Sequence, residues 1–269
     1  MIEAIAYNVR GGAETSRAVW HGRMDAVTLA LELAVQDIAG VRIAREVGAA
    51  RVELTQALAL GGLTPSPATL ERALAEATAG GPEVHVLVRP RAGGFHYDAD
   101  ELDVIERDVR FAVSAGAVGV VVGCLDAAGR LDRDAMARLV DAAGGAAVTL
   151  HRAIDVTADP VTTMHTAREL GLTRILTSGG ASAAIDGIDV LRRLVEEAAG
   201  GIQIMAGSGV DAASVAEIVA TGVDAVHFSA KRTVAASGGV RMGSAADGVG
   251  GHEVTDRLAA FAVLEALGL

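Results

Sequence analysis

Cysteine is nearly missing from this 269-residue chain, and its one thiol, Cys124, excludes an internal disulfide and suits a reducing cytosol. Cationic side chains are scarce as well. The 23 Lys and Arg stand against 34 Asp and Glu, giving a formal net charge of -11. That balance argues against nucleic acid or an anionic membrane as partner, because either needs clustered cations to meet phosphate. Small molecules or metal ions are the expected ligands. No apolar run reaches the length of a membrane span, and no basic stretch followed by an apolar segment opens the chain, so a cytoplasmic location is expected. Apolar surface, by contrast, is plentiful: 51% hydrophobic residues supply the core of one large α/β domain or two small ones.

Residues 1–26, with Tyr7, Arg10, Gly11, Gly12 and Trp20, follow neither helical nor strand periodicity and read as an N-terminal extension outside the fold. It is either a flexible tail or, with Met24 as the true start, the product of a misplaced upstream codon. The folded domain is expected over residues 27–269. There a unit recurs: strand, polar loop, helix opened by a capping residue, and glycine closing that helix. Gly48, Gly116, Gly171 and Gly222 stand at the closures. Pro67 behind Ser66, Pro160 behind Asp159, and the Asp98–Glu101 pair mark helix starts. Apolar stripes such as Leu102, Ile105, Val109 and Ala112 give each helix one buried face. Strands are expected over 29–35, 51–55, 83–89, 117–122, 147–152, 174–177, 202–206 and 225–229. Eight strands alternating this evenly with helices predict a single-domain TIM (βα)8 barrel, with a doubly wound sheet as the runner-up.

Barrel enzymes place their chemistry at the carboxyl ends of the strands, and charge collects there in this chain. Glu32, Glu53, Arg89, His151, Arg152, Asp155, His227 and Ser229 all fall at or just beyond strand ends. A barrel interior normally holds Val, Ile and Leu, so charged residues there must pair with one another or serve a ligand. As an enzyme, the chain would use Glu32 or Glu53 as general base and His151 as acid, with Asp155 in the catalytic set and Arg89 and Arg152 clamping carboxylate or phosphate. The alternative for Glu53 and Arg89 is a buried ion pair that fixes strand register. After strand seven, Gly207, Ser208 and Gly209 form a loop of the kind that binds phosphate in many barrels, or simply a tight turn; the Thr177–Gly180 loop resembles it. No zinc spacing is present, and the histidines form no i, i+4 pair. His85, His151 and His227 are able to approach one another across a barrel, but His85 lies deep in its strand and reads as core. Imidazole with Glu32 and Glu53 suits a hard or borderline divalent ion better than Cu(I).

The segments RVEL and GGLTPS (Arg51 to Ser66), VRPRAGGFHY, VGCLDAAGRLD, VTLHRAID, RILTSG, IMAGSGV and VHFSA, taken in order, make the chain resemble the CutC family from about Val27 to Arg241. The resemblance implies a TIM barrel and a cytosolic, copper-binding, often dimeric protein of copper homeostasis. It also implies a pocket lined by Glu32, Glu53, Arg89, His151, Arg152 and Asp155. Members proposed to bind Cu(I) carry cysteines just after the first-strand and second-strand glutamates, where this chain has Ala34, Val35 and Thr55. The SPMR segment usual in that family is altered here to GGVRMG, with Arg241 kept.

Overall fold

The computed structural model describes residues 29–77, 80–235 and 251–269. The extension over 1–26, the alternative start at Met24 and Arg241 lie outside the described residues. Eight parallel strands close into a barrel in chain order: β1 (Ala30–Val35), β2 (Arg51–Leu54), β3 (Glu83–Leu87), β4 (Gly119–Val122), β5 (Ala147–Leu150), β6 (Arg174–Thr177), β7 (Gln203–Gly207) and β8 (Ala225–Phe228). β1 closes the ring by pairing with both β2 and β8, so that Glu32 registers with Arg51 on one side and with His227 on the other. The TIM barrel expected from the alternation is therefore the fold, and the doubly wound sheet is not.

The helices α1 (Ile38–Glu46), α2 (Pro67–Ala77), α3 (Ala99–Ala115), α4 (Arg133–Ala143), α5 (Pro160–Glu169), α6 (Ile188–Ala198), α7 (Val215–Val219) and α8 (Arg257–Ala266) surround the strands. Their starts follow the local chemistry. Asp98 and Glu101 form a reciprocal capping box, Asp159 accepts from the Val161 and Thr162 amides ahead of Pro160, and Gly116 closes α3 at a φ of 110°. Four of the eight strands stop one or two residues short of the expected limits: β3 ends at Leu87 rather than Arg89, and β5 at Leu150 rather than Arg152, with β2 and β8 each one residue shorter. The residues past these ends belong to the loops, which is where barrel chemistry sits.

Two elements have no counterpart in the sequence reading. β9 (Lys231–Ala235) and β10 (Gly251–Thr255) form an antiparallel pair between β8 and α8. Gln36, just past β1, donates its amide to the Glu253 carbonyl and accepts from the Leu58 N–H, tying that ribbon to the barrel mouth.

The apolar core lies mainly between strands and helices, with Leu33, Leu54, Ile105, Met136, Leu139, Leu150, Ile175 and Leu191 fully enclosed. Inside the ring the apolar cluster is small: Leu176, Met205 and Ala225, with Ala30 against them. Much of the remaining interior is polar, comprising Glu32, Arg51, Glu53, His85, Thr149 and Arg174.

Candidate functional site

Period-2 alternation turns Glu32 of β1, Arg51 and Glu53 of β2 and His227 of β8 into the ring, and closure of the barrel brings them together. Glu32 is fully enclosed; its Oε2 accepts from Arg51 Nε at 2.8 Å and its Oε1 meets His227 Nδ1 at 2.9 Å. The other ring nitrogen of His227, Nε2, lies 3.8 Å from Glu53 Oε2. The imidazole thus stands between two carboxylates of unlike surroundings. Burial would raise Glu32, but the hydrogen bond and charge of His227, with Arg51 and His85 behind, hold it down at about 2. Burial dominates at Glu53, where His227 offsets only part of it and the Glu32 charge adds to it, and pushes the carboxyl up to about 7. Burial opposes charge on His227, yet Glu53 and Glu32 together raise it above the ordinary histidine value. The group thus combines one fixed anion, an imidazole whose charged form its two carboxylates favour, and one carboxyl poised near neutral pH to gain or lose a proton.

A second group forms around Phe95, in the loop after β3. Arg89 does not pair with Glu53, which removes the register-fixing ion pair considered from the sequence. Its Nη1 donates to the Leu60 and Gly62 carbonyls at 3.0 and 2.9 Å, and its Nη2 to the Gly93 carbonyl at 2.9 Å. The guanidinium lies 5.5 Å from the Phe95 ring centroid, and the His151 ring lies 4.7 Å from the same centroid on a tilted plane. His151 Nδ1 accepts from the Ala153 N–H at 3.1 Å, which places the ring proton on Nε2. Burial, reinforced by the Arg89 charge, lowers His151 to about 3, so it is a neutral imidazole. It is suited to donate a hydrogen bond rather than to deliver a proton, unlike the acid role expected for it. The residue flanked by carboxylates is His227, which its position at a strand end does not by itself distinguish from His151.

Asp155 is brought to the mouth with its valences already filled. Its carboxylate accepts from Arg152 Nε at 2.8 Å, Thr177 Oγ1 at 2.5 Å, Ser178 Oγ at 2.9 Å and the Ser178 and Gly180 amides. That network makes Asp155 the anchor of the loop after β6, whose amides it occupies in place of an external anion, and it fixes Arg152 as well. The loop after β7 also differs from a phosphate cradle. Gly207 leaves room for its neighbours: an added Cβ would stand 2.5 Å from Leu176 and 3.2 Å from His227. Ser208, at φ 85°, donates to the Ser182 carbonyl, and Asp211 takes the amides of Ala213 and Ser214 ahead of α7. Ser229, half-buried past β8, follows His227 by two residues.

His85 is buried in the middle of β3, in register with Glu53, and neither ring nitrogen finds a hydrogen-bond partner among the described residues, although Nε2 lies 3.5 Å from the Glu83 carboxylate. The site residues missed from the sequence were Arg51, the direct partner of Glu32, and Arg174, which donates to Gln203 and Thr149. Arg51 was legible in principle, since it shares the inward face with Glu53 two residues on. Cys124 is buried and its thiol is pushed up to about 12 by burial, aided by Asp132, so it is no ready thiolate. Among the described residues no group of three or more His, Cys, Asp or Glu is arranged to hold a metal ion, and the donors present do not fit thiolate-bound Cu(I).

The CutC family model matches residues 29–232 of this chain. The chain belongs to the CutC family. A curated CutC family protein from Xylella fastidiosa (strain Temecula1) is 44% identical over 222 residues, covering 82% of each chain. A solved CutC structure from Streptococcus agalactiae, named for copper homeostasis, superposes with a TM-score of 0.71 at 32% identity, covering 74% of this chain and 98% of that one. A deoxyribose phosphate aldolase from Aeropyrum pernix, at 17% identity and a TM-score of 0.57 over 75% of this chain and 85% of its own, shares the barrel fold alone. As a CutC member, this chain sets a carboxylate–imidazole–carboxylate group at the centre of that barrel and a buried cation beside it.

Proposed function

We propose that the protein serves copper homeostasis as a CutC-family member, in the cytoplasm and as a homodimer, without a thiolate site for Cu(I). The family match over most of the chain and the copper-homeostasis name of the Streptococcus agalactiae relative support the role. The residues at 34, 35 and 55, which are Ala, Val and Thr, and the buried un-ionised Cys124 support the absence of thiolate ligation. Among the described residues no helix is long and apolar enough to cross a membrane. Titration with Cu(I) against a competing chelator tests the ligand question. The expected result is no binding beyond what Cys124 provides. Strong stoichiometric binding that survives Cys124→Ser would overturn it and direct attention to Met205, whose sulfur lies 3.9 Å from Arg51 Nη2, and to His227.

One observation favours a second reading, a barrel enzyme acting on a small anionic substrate. Glu32 and Glu53, two buried carboxyls sharing one imidazole, are driven to opposite sides of their ordinary value. In that reading Glu53 and His227 move the proton, Glu32 holds His227 in place and favours its charged form, and Arg89, His151 and Arg152 face the ligand. The small molecule itself is a partner of anionic character, and metal chemistry is not invoked.

A further inference from the structure

Arg89 carries a positive charge at the barrel mouth with no carboxylate in ion-pairing distance among the described residues, although it is 7% exposed. Three main-chain carbonyls consume three of its five N–H groups. Of the two that remain, Nε–H is buried without a partner, and the other is on Nη2; the Tyr97 hydroxyl is a side-chain hydrogen-bond partner of this guanidinium. Nε and Nη2 share an edge of the guanidinium, and that edge is the fork that meets a carboxylate through two parallel hydrogen bonds. The carbonyl contacts hold the fork still before any ligand arrives.

The side chains around it bring donors. His151 has Nδ1 committed to the Ala153 amide and its proton on Nε2, which has no partner among the described residues. The Tyr97 hydroxyl lies beside Arg89, and burial pushes the phenol up to about 12, so it keeps its proton. Phe95 touches both Arg89 and His151. Phe95 and Gly93, two residues in contact with Arg89, also line a cavity of about 730 Å3 on the rim, whose apolar wall includes Leu125 and Val156. Arg89, His151 and Tyr97 do not themselves line this cavity; Phe95 and Gly93 stand between it and Arg89.

We propose that Arg89, His151 and Tyr97 form a subsite for the carboxylate of a small organic anion, entered through the rim cavity beside Phe95. One cation with two neutral donors matches a monoanion; a phosphate dianion would bring a second charge for which this group has no counter-ion. The subsite rests on the reading that the mouth binds a small anion, and not on proton transfer by Glu53.

Side-chain NMR of 15N-labelled full-length protein tests it, with acetate as the probe and inorganic phosphate as the comparison. Acetate should shift the Arg89 Nε–H and His151 Nε2–H resonances saturably. Arg89→Met should abolish the effect, but it also strips three carbonyls of their donor, so Tyr97→Phe is the second variant. Tyr97→Phe should weaken acetate by about fivefold, the worth of one hydrogen bond. No saturable shift by about 50 mM acetate, beyond the range of a millimolar site, would overturn the subsite. So would acetate shifts unchanged in both variants, while phosphate binding more tightly than acetate would overturn the carboxylate assignment. Titration of the Glu53 side-chain carboxyl in the wild type separates the two readings: acetate binding in a protein whose Glu53 does not titrate near neutrality removes proton transfer and leaves the subsite. Loss of the acetate response with Glu53 titrating as described removes the subsite alone.

Discussion

At the scale of single residues, the informative contrast is between two histidines that the sequence presents alike. His151 and His227 both stand at strand ends, yet one is held neutral by burial and Arg89, while the other is raised by two carboxylates. Period-2 alternation was sufficient to turn Glu32 and Glu53 inward. It was not sufficient to assign the histidines, because their roles depend on the Ala153 amide, which settles one tautomer, and on ring closure, which brings β8 beside β1. The pH dependence of stability follows from the same contrast. Glu53 is raised in the fold, so its contribution is complete below the unfolded value of 4.5 and is lost as pH rises through about 7. His151 is depressed, so its contribution is present above 6.5 and is lost as pH falls toward about 3. Glu53→Gln should therefore match wild type at acid pH and become the more stable protein above neutrality, by up to about 3 kcal/mol. Denaturant melts across that range decide it; a variant weaker than wild type in alkaline buffer would mean that the ionised carboxylate stabilises the barrel.

At the scale of elements, glycine explains where the imidazoles fit. Gly119 on β4 faces His85, Gly123 past β4 faces His151, and Gly207 on β7 faces His227. A Cβ at Gly123 would stand 2.5 Å from the His151 ring. Glycine inside a strand marks such close approach, a signal present in the VGVVVGC segment but indistinguishable there from a turn glycine until the neighbouring strand is known. Gly207→Ala should displace His227 and Leu176 at a cost of about 1–3 kcal/mol, with a matching change in the pH at which His227 titrates. Thermal melts with histidine NMR check both; an unmoved His227 signal would show that the strand yields instead of the ring. The helix ends were easily read because caps and closing glycines act within a few residues. β9 and β10 were not, since Lys231, Arg232 and Thr233 are exposed and carry no alternation, and their pairing joins segments sixteen or more residues apart.

At the scale of the whole molecule, the eightfold repeat was legible because every unit carries the same punctuation, whereas closure of the ring, favoured by the count of eight, is decided by the pairing of β1 with β8. Self-association was implied only by the resemblance. On α3, Val104 and Phe111 are each 47% exposed and lie two turns apart on one face, a surface suited to a second copy. Light scattering should give a dimer, with Val104→Asp and Phe111→Asp shifting it toward monomer; a monomeric wild type at micromolar concentration would end the proposal. The barrel's inner apolar cluster of Leu176, Met205 and Ala225 has a different consequence. Because the apolar packing lies mostly in the shell between strands and helices, the shell carries the fold and the interior is left as a separable insert. Such a molecule is a natural chassis: its inward positions can be exchanged as a set for another chemistry, or for leucine and methionine, while the scaffold around them keeps its shape.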